Sequence, residues 1–388
     1  MAKRKSKAQP IPNYGDSTLC AASTGMADLE SRLGRSDQMS DGVVSLRRMR
    51  KRVQNRLTAI EICAGGGGQA LGLERAGFDH VAAVEIDEAA CRTLRHNRAS
   101  WNVIAGDLCS FDAKPFRGVD LVAGGVPCPP FSIAGKQLGA DDERDLFPEA
   151  MRLVREAQPR AVMLENVRGL ASDKFAKYRE SIRAELGGLG YTTWWELVNA
   201  CDFGVPQLRP RFILVALRND IAPYFTWPKS KTDAPTVGEC LVDLMAARGW
   251  PGAAQWRKRA NRIAPTVVGG SKKHGGPDLG PTRARAEWAR LGVDGLTLAD
   301  DVPAPDFPRD GMPKLTVRMV ARIQGFPDDW HFVGKKTAAY RQVGNAFPPP
   351  VAEAIGCAIR AAILSHRRAK PITARRRQLE LSLQTAHG

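Results

Sequence analysis

Two residue types in this chain stand where chemistry is expected. Cys128 lies in Gly124-Gly125-Val126-Pro127-Cys128-Pro129-Pro130-Phe131-Ser132, directly after the apolar run Asp120-Leu121-Val122-Ala123. A strand that ends in Gly-Gly, followed by a thiol between prolines, predicts a rigid loop that presents sulfur at a sheet edge. Glu165 follows 37 residues later, in Glu165-Asn166-Val167, behind a second apolar run, Ala161-Val162-Met163-Leu164. A sulfur nucleophile and a carboxyl at the ends of two strands can share one pocket. The chemistry open to such a pair is addition of a thiolate to an electron-poor carbon, with the carboxyl managing the charge that develops.

The elements that must hold this pair follow from the apolar pattern. Leu57 to Cys63 reads as a buried strand and Gln69 to Ala76 as a helix stopped by Gly77. Val81 to Glu85 reads as a strand, Glu88 to His96 as a helix, and Asp120 to Ala123, Arg160 to Leu164 and Phe212 to Leu217 as further strands with helices between them. Strands alternating with helices predict an α/β fold, a doubly wound and mostly parallel sheet of Rossmann-like form. The alternation fails after about residue 223, and 228–313 is rich in Pro, Gly, Trp and basic side chains, as expected of a second, smaller and irregular domain. Helical patterning returns over 314–365, including Val351 to Leu364. The expected organisation is a basic, disordered arm over 1–56, a catalytic domain over 57–227 and 314–365, the second domain at 228–313, and a basic tail over 366–388.

The glycine-rich turn Glu61-Ile62-Cys63-Ala64-Gly65-Gly66-Gly67-Gly68 joins the first strand to the first helix, where backbone N–H groups can approach a ligand closely. Glu85 follows Gly65 by 20 residues and can accept hydrogen bonds from both ribose hydroxyls. Asp107, in Gly106-Asp107-Leu108, ends a third strand and can hold an adenine amino group. These features suit a dinucleotide as well as S-adenosylmethionine.

Of the chain's 388 residues, 43% are apolar, which allows one large domain plus a smaller one. No run of 18 apolar residues predicts a membrane span, and the basic N-terminus has no apolar core behind it of the kind a secretory signal carries. The eight scattered cysteines form no Cys-x-x-Cys pair, which argues against a disulfide framework or structural zinc and favours a reducing cytoplasm. The net charge of +16 is uneven: residues 1–56 carry +7, 229–290 carry +7 and 366–388 carry +5, leaving the remainder at −3. Basic blocks beside a near-neutral core predict binding to a phosphate backbone.

In order along the chain, these residues resemble the C5-cytosine methyltransferase family, over about Leu57 to Ala358. Ala64-Gly65-Gly66-Gly67-Gly68 resembles its first cofactor motif, Glu85-Ile86-Asp87 its second and Gly106-Asp107-Leu108 its third. Gly125-Val126-Pro127-Cys128 resembles the nucleophile motif, Arg144-Asp145-Leu146-Phe147 the fifth, and Glu165-Asn166-Val167 the acid motif. Gln207-Leu208-Arg209-Pro210-Arg211 resembles Gln-x-Arg-x-Arg. Thr316 to Pro327, with Arg318 and Gln324-Gly325-Phe326-Pro327, resembles the penultimate motif, and Gln342-Val343-Gly344-Asn345-Ala346 the last. Two positions depart from the pattern: Cys63 stands where many members have Phe, and Ile86 where many have Trp. Both flank the adenine in the family, which implies a weaker aromatic clamp, and Cys63 reads as a small packing residue.

The resemblance implies a bacterial DNA (cytosine-5) methyltransferase of a restriction–modification or phage-defence system, with S-adenosylmethionine as cofactor and no metal. Cys128 would add to carbon 6 of a cytosine flipped out of the duplex, making carbon 5 nucleophilic. Glu165, protonated or sharing a proton, would act at ring N3 and the exocyclic amine, with Arg211 orienting it and the base O2, and with Arg209, also in the catalytic set, supporting the loop. The implied cofactor residues are Cys63, Ala64, Gly65, Gly66, Gly68, Glu85, Ile86, Asp107, Leu108, Pro127, Leu146, Asn345 and Ala346. The implied DNA contacts are Ser132, Lys272, Lys273, His274, Arg283, Arg285 and Arg318, with 228–313 as target-recognition domain and the loop from Ser132 to Arg144 closing over the pocket. The expected partners are double-stranded DNA and a restriction endonuclease or defence protein on a separate chain, around a cytoplasmic, nucleoid-associated monomer.

A zinc deaminase would need a second cysteine after Pro127-Cys128, where Pro129-Pro130-Phe131 stands instead. A transfer-RNA methylase of the same family keeps a shorter insertion than the basic block at 229–313. A catalytically silent DNA-binding regulator would not need Cys128, Glu165 and both arginines. The arm at 1–56 could add binding to the enzyme's own operator.

Overall fold

Buried parallel strands need apolar residues on both faces, and the short unbroken runs of this sequence supply them. The computed structural model describes residues 56–127, 145–230, 233–270 and 276–385. Its strands are β1 (Leu57–Ile62), β2 (Phe78–Glu85), β3 (Val103–Ala105), β4 (Leu121–Gly125), β5 (Ala161–Val167), β6 (Tyr191–Asn199) and β7 (Pro210–Arg218). They form one seven-stranded sheet in the order β3-β2-β1-β4-β5-β7-β6. β1 to β5 pair in parallel, and β7 runs antiparallel to both β5 and β6. The order reverses at β1, which pairs with β2 on one side and β4 on the other. The helices that follow these strands diverge there, leaving a crevice at the strands' carboxyl ends.

Each strand divides its side chains between two cores. Leu57, Ala59, Leu121, Ala123, Met163 and Val215 face one layer, made with Leu73, Ala76, Val351, Ile355 and Ile359. Ile60, Ile62, Val122, Val162, Leu164 and Leu214 face the other, made with Phe147, Met151, Leu153 and Val154. The first layer is α1 (Gly68–Ala76) packed on the helix Pro349–Thr385; the second includes α3 (Phe147–Ala157) and α4 (Ala176–Gly188), and α2 (Glu88–Asn97) follows β2. A Cβ at Gly72 would stand 2.4 Å from the Pro349 carbonyl oxygen, and one at Gly356 2.8 Å from Leu73, so these glycines let the two helix backbones meet.

The second half holds α5 (Val237–Ala246), α6 (Ala253–Arg259), α7 (Thr282–Arg290), α8 (Val317–Ile323), α9 (Lys336–Asn345) and α10 (Pro349–Thr385). A capping box of Thr236 and Glu239 starts α5. Trp250, Trp256 and Trp288 fill a core that is continuous with Leu94 and Trp101 beside the sheet and with Met319, Tyr340 and Val343 of α8 and α9. From Arg56 onward the chain forms one compact unit.

Several expectations change in detail. β5 extends to Val167, so Glu165 lies within it rather than beyond its end. β6 has no counterpart in the sequence reading, and the basic tail from 366 continues α10 to Thr385. Lys336–Ala369 is long and apolar enough by composition to cross a membrane. Here the chain breaks between α9 and α10, at Ala346 and the prolines after it, and Val351, Ala352, Ile355 and Ile359 are core residues.

Candidate active site

The turn after β1 is built for close approach. Cys63, Gly65 and Gly67 have φ of 51°, 54° and 86°, the left-handed region. A Cβ at Gly67 would stand 2.7 Å from Trp330, and one at Gly68 2.2 Å from the Phe347 carbonyl oxygen. Trp330 Nε1 donates to the Gly66 carbonyl at 3.0 Å, so a residue 264 positions away holds the turn. No side chain caps the N-terminus of α1, which leaves its first N–H groups to the crevice. Glu85 is fixed from both sides: Gly65 N–H donates to Oε2 at 2.6 Å and Asp87 N–H to Oε1 at 2.7 Å. Each carboxylate oxygen keeps a free lone pair. Asp107 Oδ1 accepts from Cys109 N–H at 3.0 Å.

These groups line a single cavity of about 380 Å³ at the switch point of the sheet. Cys63, Ala64, Gly65, Gly66 and Gly68 come from the turn; Glu85 and Ile86 from the end of β2; Asp107 and Leu108 from the loop after β3. Pro127 and Leu146 come from the two ends of the nucleophile loop, and Asn345 and Ala346 from the end of α9. Every residue expected at the cofactor therefore lines one space, and Glu165 lines it too. Ile86 is 70% exposed, an apolar side chain at the rim. Burial, with Glu85, Glu61 and Asp107 adding to it, pushes the Cys63 thiol up to about 12, so it is a packed thiol and no second nucleophile. The sequence reading did not single out Glu61, Gln69 or Arg341, which also line the cavity. Glu61 Oε2 and Gln69 Oε1 are buried acceptors with no hydrogen-bond partner among the described residues. Their signal was present in the spacing, since Glu61 is next to last in β1 and Gln69 second in α1.

Glu165 pairs with Gly125 across the sheet, and its Oε2 is 3.2 Å from where a Cβ on Gly125 would stand. Glycine at 125 thus leaves room for the carboxyl beside the strand that leads to Cys128. Arg211 Nε lies 2.6 Å from Glu165 Oε1, with both side chains 12% exposed, and Arg211 Nη1 donates to the Pro210 carbonyl. Asn166, whose role the sequence did not reveal, donates from Nδ2 to the Val126 carbonyl at 3.0 Å. Leu146 N–H donates to the Pro127 carbonyl at 3.2 Å, so the loop's two ends meet at the cavity wall. Cys128 and Ser132 lie outside the described residues, as does the loop expected to close.

Arg209, expected in the catalytic set as a support of the loop, is a support of a wider kind. It is fully buried and does not line the cavity. Its Nη1 donates to the Val267 carbonyl at 2.7 Å, and its Nη2 to those of Gly344 and Ala346 at 2.9 and 2.7 Å. Burial and then the like charge of Arg211 push its pKa down, with Glu165 pulling the other way. Arg209 is a clamp between β7, the second half and the cavity wall. Gln207 completes it, accepting from Val267 N–H and donating to Gln324 Oε1 at 2.5 Å.

Residues 57–361 match the family model of the C-5 cytosine-specific DNA methylases. The chain belongs to that family. It is 61% identical over 311 residues to the Type II methyltransferase M.NaeI of Lentzea aerocolonigenes, covering 79% of this chain and 75% of that one. It is 56% identical over 304 residues to M.NgoMIV of Neisseria gonorrhoeae, covering 77% and 96%. A solved structure described as a DNA modification methyltransferase from an Escherichia coli prophage superposes with a TM-score of 0.56 at 25% identity, over 80% of this chain and 99% of that one. S. pombe Dnmt2, at 18% identity and TM-score 0.53, shares the fold. The protein is a DNA (cytosine-5) methyltransferase.

Of the methylase's expected DNA contacts, Lys272, Lys273 and His274 lie outside the described residues. Arg283 is exposed on α7, and Arg285, half-buried, bonds Thr282 Oγ1. Arg318 is paired with Asp328 at 2.7 Å, which Arg322 shares, so its charge is already balanced within the protein. Arg257, Lys258 and Arg262 are exposed cations of the same half that the sequence reading passed over.

Proposed function

We propose that this methylase takes its methyl group from S-adenosylmethionine and delivers it to carbon 5 of a cytosine flipped out of a short specific duplex sequence. The observation that carries this reading is the single cavity, which gathers the cofactor residues of six separate stretches around Glu165. The cavity's chemistry suits that cofactor. Glu85 retains lone pairs for two ribose hydroxyls, and Asp107 faces the cavity beside Leu108 and Ile86, which suits an adenine. Glu61 Oε2 and Gln69 Oε1 offer unpaired acceptors to an ammonium group. When bound, the cofactor supplies an electrophilic methyl group on sulfur.

The protein's own residues supply the rest. Cys128 follows Pro127 at the cavity wall, and its thiolate adds to carbon 6 of the cytosine. Glu165 meets N3 and the exocyclic amine, stabilising charge on the ring as the bond forms. Arg211 holds that carboxyl in place at 2.6 Å. Asn166 holds the Val126 carbonyl, fixing the strand end from which Cys128 springs. After methyl transfer, loss of the carbon 5 proton expels the Cys128 thiolate and restores the ring. The target-recognition role of 228–313, with Arg283 and Arg285 as contacts, rests on the charge of that segment.

The Type II names of M.NaeI and M.NgoMIV support a place in a restriction–modification system, with the endonuclease a separate chain. The monomeric, cytoplasmic enzyme protects DNA by marking the sequence that the nuclease cuts. The mechanism is tested with a duplex carrying 5-fluorocytosine at the target, where fluorine cannot leave as a proton does and the adduct persists. A protein–DNA species that survives denaturation is expected for the wild type and not for Cys128→Ser. A stable adduct with Cys128→Ser, or none with the active wild type, would remove Cys128 as nucleophile.

A further inference from the structure

Beneath the cavity, Glu61 at the end of β1 faces His80 of β2. Glu61 is 1% exposed and the His80 side chain fully buried, with Oε2 and Nε2 3.8 Å apart. That separation is too long for a hydrogen bond. Among the described residues, neither ring nitrogen of His80 has a hydrogen-bond partner, and neither has Oε2. His80 instead lies against Trp101, ring centroids 4.6 Å apart. Three buried polar atoms without partners are costly, and a site that keeps them has a use for them.

The surroundings say which use. Among the described residues, the charged ones lining the cavity are Glu61, Glu85 and Asp87 near β1 and β2, Asp107 after β3, Glu165 of β5 and Arg341 of α9. Five carboxyls against one guanidinium favour a cation. Cys63 on the adjoining turn is a protonated thiol. His80 is the neighbour that acts on Glu61 against the effect of its burial.

We propose that Glu61 is a proton-exchange group tuned by His80: its carboxyl holds a proton while the cavity is empty, and the ammonium of the cofactor's amino-acid end takes that proton's place. The proposal rests on the reading of the cavity as the S-adenosylmethionine site. Burial favours the protonated carboxyl of Glu61, and His80 opposes that, easing its ionisation. When the ammonium arrives, Glu61 gives its proton to solvent and the charge count in the buried layer is unchanged. His80 is a positioning residue: it touches no ligand and sets the pH at which Glu61 becomes available. Since the cofactor binds the ionised carboxylate, affinity falls as the medium becomes more acidic.

The test is calorimetric titration of the whole enzyme with S-adenosylhomocysteine, whose ammonium is intact, from pH 5.5 to 8. Two buffers of different ionisation enthalpy count the protons. The wild type is expected to release about one proton at the acidic end, with Kd tightening about tenfold per pH unit there. Glu61→Gln abolishes both effects, and His80→Phe, which keeps a ring on Trp101, moves the transition to higher pH. 5′-Methylthioadenosine, lacking the amino-acid end, binds without proton release. Proton-free binding of S-adenosylhomocysteine by the wild type would overturn the proposal without touching the cofactor assignment, and needs no variant. Release that persists with 5′-methylthioadenosine would overturn it by assigning the proton to the nucleoside end. No binding at all would remove the cofactor assignment itself, and this proposal with it.

Discussion

Arg209 and Arg211 differ by two positions and have opposite fates. Arg211 meets Glu165, whereas Arg209 is spent on the carbonyls of Val267, Gly344 and Ala346. The sequence motif marks both but does not show that Arg209 stands before β7 with a left-handed backbone, φ 31°, which takes it off the strand face that Arg211 occupies. Losing Arg209 leaves three buried carbonyls without a donor, so Arg209→Met should destabilise the fold by about 3 kcal/mol or more in a denaturant titration. Arg211→Met should shift stability much less and lower kcat about 100-fold or more, with Glu165→Gln alongside it. Equal losses of stability from both arginine variants would contradict this division. Asn166 was legible only as part of a motif; its bond to Val126 becomes visible once β4 and β5 are side by side. Asn166→Ala should lower kcat about tenfold with little change in the KM for the cofactor, because misplacing the nucleophile slows the chemical step. A change confined to the cofactor KM would place Asn166 elsewhere in the mechanism.

At the scale of elements, the buried strands were readable because each is a short apolar run, as in Ala161-Val162-Met163-Leu164. β6 was not, since its Tyr-Thr-Thr-Trp-Trp-Glu opening is half-exposed at the sheet edge and carries no clean alternation. The glycines of α1 and α10 were equally silent, because helix approach is a tertiary fact. Gly72→Ala places a methyl 2.4 Å from the Pro349 carbonyl oxygen and should cost about 1–3 kcal/mol, seen as a lower Tm. An unchanged Tm would mean that the two helices can separate freely. The loop after α8 carries a pH effect. Hydrogen bonding from Arg322, and then from Arg318, holds the Asp328 carboxyl down at about 2. A depressed carboxyl stabilises the fold above its unfolded value near 4, and that contribution is lost as pH falls from about 4 towards 2. The side chain is 35% exposed, so solvent screening keeps the effect under ~1 kcal/mol. Acid titration of Asp328→Asn should lack this small step.

Charge and chemistry fall on different stretches of the chain. Basic blocks lie at 1–56, 229–290 and 366–388, while the cavity is rich in carboxyls. DNA affinity should therefore fall steeply with salt, and Arg283→Glu and Arg285→Glu should each reduce the slope of log K against log salt by about one. S-Adenosylhomocysteine affinity should stay unchanged, and an unaltered salt slope would take α7 off the DNA. The α/β class was legible in the alternation of apolar runs, and the expected lining of the cavity in the resemblance, whose motifs fall at the ends of strands and of α9. The buried supports were not, because Trp330 reaches Gly66, and Gln207 reaches Gln324, only after the chain has folded back on itself. The central claim, cytosine-5 methylation of a specific duplex sequence through Cys128, is tested most directly by bisulfite sequencing. Unmethylated DNA is incubated with S-adenosylmethionine and either wild type or Cys128→Ala. A short recurring sequence methylated by the wild type alone is the predicted result; methylation by Cys128→Ala, or none by a folded wild type that binds cofactor, would contradict it.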